Sequence, residues 1–407
     1  MKLTSAAALL SAAALLLSGC GAPVPDPTPA ETEFVPALSQ TSLPTETQSP
    51  DQPAKEILAD MTLREKVGQL FLVRPDALDF TISFGDLDNS QGPGETVFSD
   101  YAAENLRKYP VGGFVHFQKN IVSPEQITEF NRSLQASMKI PPFLAVDEEG
   151  GLVARLANSP QFTVPKFESP ASVGERGPDA CQEMGWIIGN YLQEYGFNMD
   201  FAPVADVNTN PHNPVIGERA FSQDPEQAAL CARAMADGLR MNGIVPVFKH
   251  FPGHGDTAED SHQQLAVSHK TSKELLSCEW IPFRQAEARE CIMAGHIALP
   301  ELTGDMTPAP FSRDIVTGCL KEQLGYEGLV ITDSLSMGAV IRQYGSAEAA
   351  LLALNAGCDL LLMPASLPEA FDGVVSAVED GSFPEEKLDE IVLRILRTKI
   401  DYHIINP

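Results

Sequence analysis

The sequence predicts an α/β fold, a (β/α)8 TIM-type barrel in a single domain, and three observations carry that prediction. Short β-rich runs alternate with longer helical patterns, as they do in parallel βα units. Eight such runs occur, the number that closes a barrel. No boundary at a midpoint divides them across the roughly 350 residues they occupy. A doubly wound open sheet is the competing class, and the strand count decides for the barrel.

The strand candidates are residues 70–73, 113–117, 143–146, 198–203, 245–249, 292–298, 329–332 and 360–363, each a short apolar stretch. Helices with legible start signals lie between them. Ser123-Pro124-Glu125 opens one, and Asp224-Pro225-Glu226 opens another that is expected to run to Gly243. Ser312 is expected to cap a third that ends near Gly325. A last helix, 384–401, carries Leu388, Ile391, Val392 and Ile395 at helical spacing and would complete the outer ring.

Ahead of this unit the chain has a different character. Met1 and Lys2 precede an Ala/Leu run that ends in Leu17-Ser18-Gly19-Cys20. An apolar run this short behind a basic start reads as a secretory signal over residues 1–19. The Leu-Ser-Gly-Cys ending resembles a bacterial lipobox, which implies that Cys20 is acylated and becomes the N-terminus. Such an anchor would hold the domain at a membrane without a spanning helix, and the expected location is extracytoplasmic. Residues 20–53 are rich in Pro, Thr and Glu, contain no Lys or Arg, and lack apolar periodicity, so they read as an extended tether. Residues 54–407 are the expected domain.

Composition excludes several classes of function. The 407 residues are 43% hydrophobic and 20% charged, a globular composition. Lys and Arg number 28 against 55 Asp and Glu, for a net charge of −27, which repels phosphate backbones and argues against a nucleic-acid partner. Cys181, Cys231, Cys278, Cys291, Cys319 and Cys358 form no CxxC pair, which favours buried thiols over a zinc ribbon or redox motif.

In a barrel the chemistry sits where the strands end. Strand three runs into Asp147-Glu148-Glu149-Gly150-Gly151, with Arg155 close behind. Strand four leads to Asp206-Val207-Asn208 and then Gly217-Glu218-Arg219, and strand seven to Thr332-Asp333-Ser334. Strand five ends in Lys249-His250-Phe251-Pro252-Gly253-His254-Gly255-Asp256-Thr257, followed by Asp260-Ser261-His262. Any one of these Asp residues alone would read as a helix cap. Three His, two Asp and a Lys crowded into one loop do not read as an inert connection. His250-xxx-His254 has the spacing of two zinc ligands on a helix, but Pro252, Gly253 and Gly255 break that helix and no Glu follows the first His. No metal and no cofactor is expected.

These motifs resemble glycoside hydrolase family 3, and within it the β-N-acetylhexosaminidase branch. The carrying stretches are Asp-Glu-Glu-Gly-Gly with Arg155, Ile-Gly-Glu-Arg-Ala-Phe at 216–221, the His-rich loop at 249–262, and Ile-Thr-Asp-Ser-Leu-Ser-Met at 331–337. The resemblance spans residues 61–364, and the His-rich loop is specific to the branch. Two positions depart from it: the branch usually has Gln at Glu148 and often Asp at Ser334, neither a catalytic position, so both are expected to bear on pocket polarity.

The resemblance implies hydrolysis with retention, which needs a nucleophile on one face of the sugar and a proton donor on the other. Asp333 matches the nucleophile. His262 matches the acid and base, with Asp260 as its partner, and an imidazole titrating near neutrality suits both steps. Asp147, Arg155, Arg219, Lys249 and His250 match positions that grip the hydroxyls of a terminal N-acetylglucosamine in a small saccharide or muropeptide. A related enzyme that transfers the sugar to phosphate is the nearer alternative. A sugar-binding lipoprotein is the more distant one, and it would need two lobes and a hinge.

Overall fold

The computed structural model describes residues 51–406 apart from 90, 91, 93 and 259–264. The signal, Cys20, most of the tether, Asp260 and His262 therefore lie outside the described residues.

Eight parallel strands form the barrel: β1 Phe71–Val73, β2 Gly113–His116, β3 Phe143–Val146, β4 Met199–Asp200, β5 Val245–Phe251, β6 Cys291–Ala294, β7 Leu329–Thr332 and β8 Leu361–Leu362. Each pairs with the next in chain order, and β1 pairs with β8. Between β7 and β8 the ring closes through a parallel bridge of Ile331 with Leu360 and a Thr332 N–H donated to the Leu360 carbonyl at 3.0 Å. Every strand residue is buried, as expected for a sheet filled on one side and covered by helices on the other. Phe114, Phe143, Phe201 and Phe248 are among the largest core side chains.

Where strand lengths differ from expectation, local hydrogen bonding explains it. β2 stops at His116 because the Asn120 side chain takes the Phe117 N–H at 3.0 Å. β4 has only two residues, since Pro203 has no N–H for the ladder and pairing resumes only at Val204 with Lys249. β5 runs two residues further than expected, through a register shift between Lys249 and Phe251. The expected 292–298 strand divides: β6 ends at Ala294, the Gly295 N–H turns to the Phe251 carbonyl, and Ile297–Ala298 pairs separately with Ala266–Val267.

The helices follow their signals with one correction. Ser123 caps Pro124–Ala136 by accepting from the Gln126 N–H, and Asp224 caps Pro225–Arg240 through Gln227. The latter helix ends at Arg240, and the chain turns through Gly243, whose φ of +71° only glycine adopts easily. Ser312 makes no side-chain cap: the third helix is Asp314–Gln323, wound as a π-helix, and Ser312 contributes only its carbonyl to the first N–H groups. The last helix is Glu385–Asp401, with Leu388, Ile391, Val392 and Ile395 buried. At the other end, Gln52 and Pro53, assigned to the tether by composition, open a helix Gln52–Ala59 that packs on this one.

Candidate active site

Six residues singled out in the sequence meet at the C-terminal ends of the strands. Asp147, Arg155, Arg219, Lys249, His250 and Asp333 all line one cavity of about 340 Å³. A larger cavity of about 750 Å³ lies at the opposite end of the barrel, among Glu287, Arg289, Glu327 and Arg394. Barrel chemistry belongs to the first of these ends.

Asp147 follows β3 directly. One carboxylate oxygen accepts from Arg155 at 3.0 Å and the other from Lys249 Nζ at 2.9 Å. Burial opposes the charge, but the two cations overcome it and hold Asp147 well below the usual carboxylate range. Lys249 stands near the end of β5 and is buried. Burial pushes its ammonium down, yet Asp147 and Glu149 hold it above its ordinary value, so it stays charged.

Glu149 is one cavity residue that the sequence did not single out. It receives both arms of the Arg219 guanidinium, Nε at 2.8 Å and Nη2 at 2.7 Å, and Lys249 Nζ at 2.5 Å. Burial works against its charge, but Arg219 and then Lys249 hold its carboxyl at about 2. The signal was the alternation of an extended segment: Asp147 and Glu149 face the cavity, and Glu148 between them faces away. Glu148 accepts from the Leu156 and Ala157 N–H groups, each at 2.8 Å, and from the Tyr191 hydroxyl at 2.9 Å. Burial raises its pKa. The departure from the branch at Glu148 thus concerns the folding of the 148–157 hairpin and not pocket polarity. Ser334, the other departure, does line the cavity, and its hydroxyl pairs with that of Ser336 at 2.8 Å.

His250 is oriented by Asp206, which accepts at 2.7 Å from Nδ1 and at 3.2 Å from the backbone N–H. With Asp206 accepting, the proton of that hydrogen bond sits on His250 Nδ1. The other Asp206 oxygen takes the His254 N–H at 2.6 Å. His254 also lines the cavity, its Nδ1 2.7 Å from the Thr257 hydroxyl. Burial, followed by the neighbouring His250, lowers its pKa. The His-rich loop is pinned where it leaves β5: the Trp280 indole donates to the Pro252 carbonyl at 3.1 Å, and Lys270 bridges Asp256 and Glu279.

Asp333 ends β7. Its N–H is held by the Ala294 carbonyl at 2.8 Å, and its carboxylate accepts the Ser334 N–H at 2.7 Å. On the same wall, Arg74 from the end of β1 lies over the Phe117 ring at 5.8 Å, and Arg155 over the same ring at 5.4 Å. The 75–100 insertion packs beside this wall. Its buried Asp76 accepts from Asn120 at 2.8 Å and from the Glu95 N–H, while Lys119, which lines the cavity, donates to the Leu87 carbonyl. No cluster of His, Cys, Asp and Glu able to hold a metal occurs among the described residues.

The chain has known relatives. Residues 62–398 match the model of the glycosyl hydrolase family 3 N-terminal domain. The chain is similar to a beta-hexosaminidase from Methylococcus capsulatus, 34% identical over 292 residues, covering 71% of this chain and 86% of that one. It is also similar to beta-hexosaminidase A from Pseudoalteromonas piscicida, 30% identical over 374 residues, where it spans 83% of its own length and 61% of the relative's. Among solved structures, a family 3 β-N-acetylglucosaminidase from Paenibacillus sp. FPU-7 superposes with a TM-score of 0.76 at 33% identity, over 85% of this chain and 64% of that one. A family 3 member from Mycobacterium smegmatis does so at 0.68 and 30% identity, over 84% and 98%. With more than half its length inside the family's domain, the chain belongs to glycosyl hydrolase family 3.

Proposed function

We propose that the chain is a retaining β-N-acetylhexosaminidase that removes a terminal, non-reducing β-linked N-acetylglucosamine from peptidoglycan or chitin fragments. The observation that carries it is the pairing, in one cavity, of Asp333 with a closed hydrogen-bonding network of Asp147, Arg155, Lys249, Glu149 and Arg219. A neutral sugar has no charge to be steered by. It is held by donors and acceptors fixed in place, and each of these side chains is already locked by its neighbours.

In the first step the Asp333 carboxylate attacks the anomeric carbon, the glycosidic C–O bond breaks, and His262 gives its proton to the leaving oxygen. In the second, water attacks the same carbon, His262 takes its proton, and the ester to Asp333 breaks to restore the carboxylate. Asp260 serves as the orienting partner of His262. Binding falls to Asp147, Arg155, Arg219 and Lys249, with His250 Nε2 accepting from a sugar hydroxyl. Acylated Cys20 and the tether behind it keep the domain extracytoplasmic, on the side of the membrane where cell-wall fragments arise.

The test uses two aryl or alkyl N-acetylglucosaminides that differ in leaving group. A His262→Ala variant should still form the glycosyl-Asp333 ester from one whose phenol departs unprotonated, and should fail with a poor leaving group. Equal loss for both would assign His262 to binding. Product analysis with and without phosphate separates hydrolysis from phosphorolysis: free N-acetylglucosamine in both buffers supports the proposal, and a sugar 1-phosphate overturns it.

A further inference from the structure

Cys181 and Cys231 lie on neighbouring outer helices, Pro178–Glu194 and Pro225–Arg240, and both are fully buried. Successive crossover helices of a barrel run in the same direction, so one turn along one helix matches one turn along the other. Two glycines bring their backbones together. A Cβ on Gly185 would stand 2.1 Å from the Met235 carbonyl oxygen, and one on Gly238 would stand 2.3 Å from that of Gln182. Cys181 lies one turn before Gly185, and Cys231 lies one turn before Met235. The two cysteines therefore occupy the same close seam, each one turn before a residue at its point of closest approach.

Their thiols meet there. Contact between them pushes the Cys181 thiol up and the Cys231 thiol down, and Gln227 Nε2 donates to Cys231 Sγ at 3.4 Å. The Gln227 donor favours a thiolate at Cys231. Neither sulfur lines the active-site cavity.

We propose that Cys181 and Cys231 are a redox pair that closes into a disulfide, stapling the third and fourth crossover helices together when the chain meets a disulfide donor. The Cys231 thiolate attacks one donor sulfur, forming a mixed disulfide and expelling one donor thiolate. Cys181, losing its proton, then attacks Cys231 Sγ and expels the second. Two electrons pass to the donor, which leaves as two thiols carrying the protons of the pair. Both sulfurs are inaccessible in the folded chain, so exchange takes place before the helices dock or during their local opening. Once closed, the bond is shielded from soluble reductant.

The experiment equilibrates the full chain with glutathione disulfide, unfolds it in denaturant with excess N-ethylmaleimide, and maps the peptides by mass. The expected result is one linked peptide pair holding Cys181 and Cys231, with Cys278 and Cys319 alkylated. The oxidised protein should melt about 4 °C above the dithiothreitol-treated protein, as expected for a link closing a loop of about fifty residues in a domain this size. Cys231→Ala should abolish that shift and leave turnover unchanged. Both cysteines found alkylated after oxidation, or either one linked to glutathione or to another cysteine, would overturn the proposal. The peptide map of the unsubstituted chain decides this even if Cys231→Ala does not fold.

Discussion

Glu149 holds Arg219 and Lys249 and touches no reacting atom in the proposed mechanism, so its effect is one of positioning. Its folded carboxyl titrates at about 2, below its unfolded value, so its stabilisation is present above the unfolded pKa of about 4.3 and is lost as pH falls toward 2. Glu149→Gln removes one of the two carboxylates of the buried network and leaves Arg155, Lys249 and Arg219 against Asp147 alone. It should destabilise the fold by about 3 kcal/mol in denaturant titrations at pH 7, and its deficit should shrink between pH 4.5 and 2. An unchanged stability across that range would show that the pairing contributes nothing. Asp333→Ala should behave in the opposite way, with near-normal melting and turnover reduced about 10³-fold or more. Retention of a tenth of the activity would remove Asp333 from the nucleophile role. Six of the proposed site residues were legible because strand ends and charged motifs coincide in the sequence. Glu149 was not: it adjoins Glu148, and only the pleat distinguishes a cavity carboxylate from one that folds a hairpin. Arg74 was hidden differently, since a lone Arg after β1 carries no motif and its place beside Phe117 depends on tertiary packing.

Elements were most legible where a cap or a period marks them and least where side chains compete with the ladder. The Ser123 and Asp224 caps and the 388–395 stripe translate directly into helices. The ends of β2 and β4 do not, because an Asn side chain and a Pro decide them. Among the described residues the fifth crossover carries as helix Ser272–Ser277 and the short turn Pro282–Gln285. That economy is consistent with a segment given over to the His-rich loop. The third and fourth crossovers are the reverse case, a seam so close that two glycines are required. Gly185→Ala should therefore cost about 1 to 3 kcal/mol by overpacking, because its Cβ meets backbone and not a flexible side chain. Gly85→Ala, in the helix Phe84–Asp88, meets nothing nearer than 4.0 Å and serves as the control, expected to be neutral or slightly stabilising. Equal melting temperatures for the two variants would mean that the seam yields more easily than its geometry implies.

At the scale of the whole molecule the barrel has two differently built ends. The C-terminal end holds charges in mutual pairs around an open cavity. The N-terminal end is closed by the last helix, which sends Lys399 into the floor, fully buried, where Nζ donates to Gln69 Oε1 at 2.8 Å and to the Gly112 carbonyl at 2.9 Å. Its Nζ also stands 4.8 Å from the centre of the Phe143 ring. Burial brings this ammonium down to about 7, against about 10.4 in an unfolded chain. Between pH 7 and 10.4 the unfolded chain therefore binds a proton that the folded chain does not, and stability rises with pH by up to about 1.4 kcal/mol per unit. Below pH 7 both states carry the proton, and the penalty stays constant at its largest. Other groups titrate over the same range, so the informative quantity is the difference between wild type and Lys399→Met, which keeps the length and drops the charge. Denaturant titrations at pH 7, 8 and 9 should give a wild-type stability that climbs relative to the variant. The absolute offset at one pH says less, because methionine leaves Gln69 and Gly112 without a donor, a loss of about 1 to 3 kcal/mol in the other direction. Parallel pH profiles for the two proteins would place the Lys399 proton outside this window and make the floor of the barrel a charged plug, stabilised by its two acceptors and the aromatic ring despite burial.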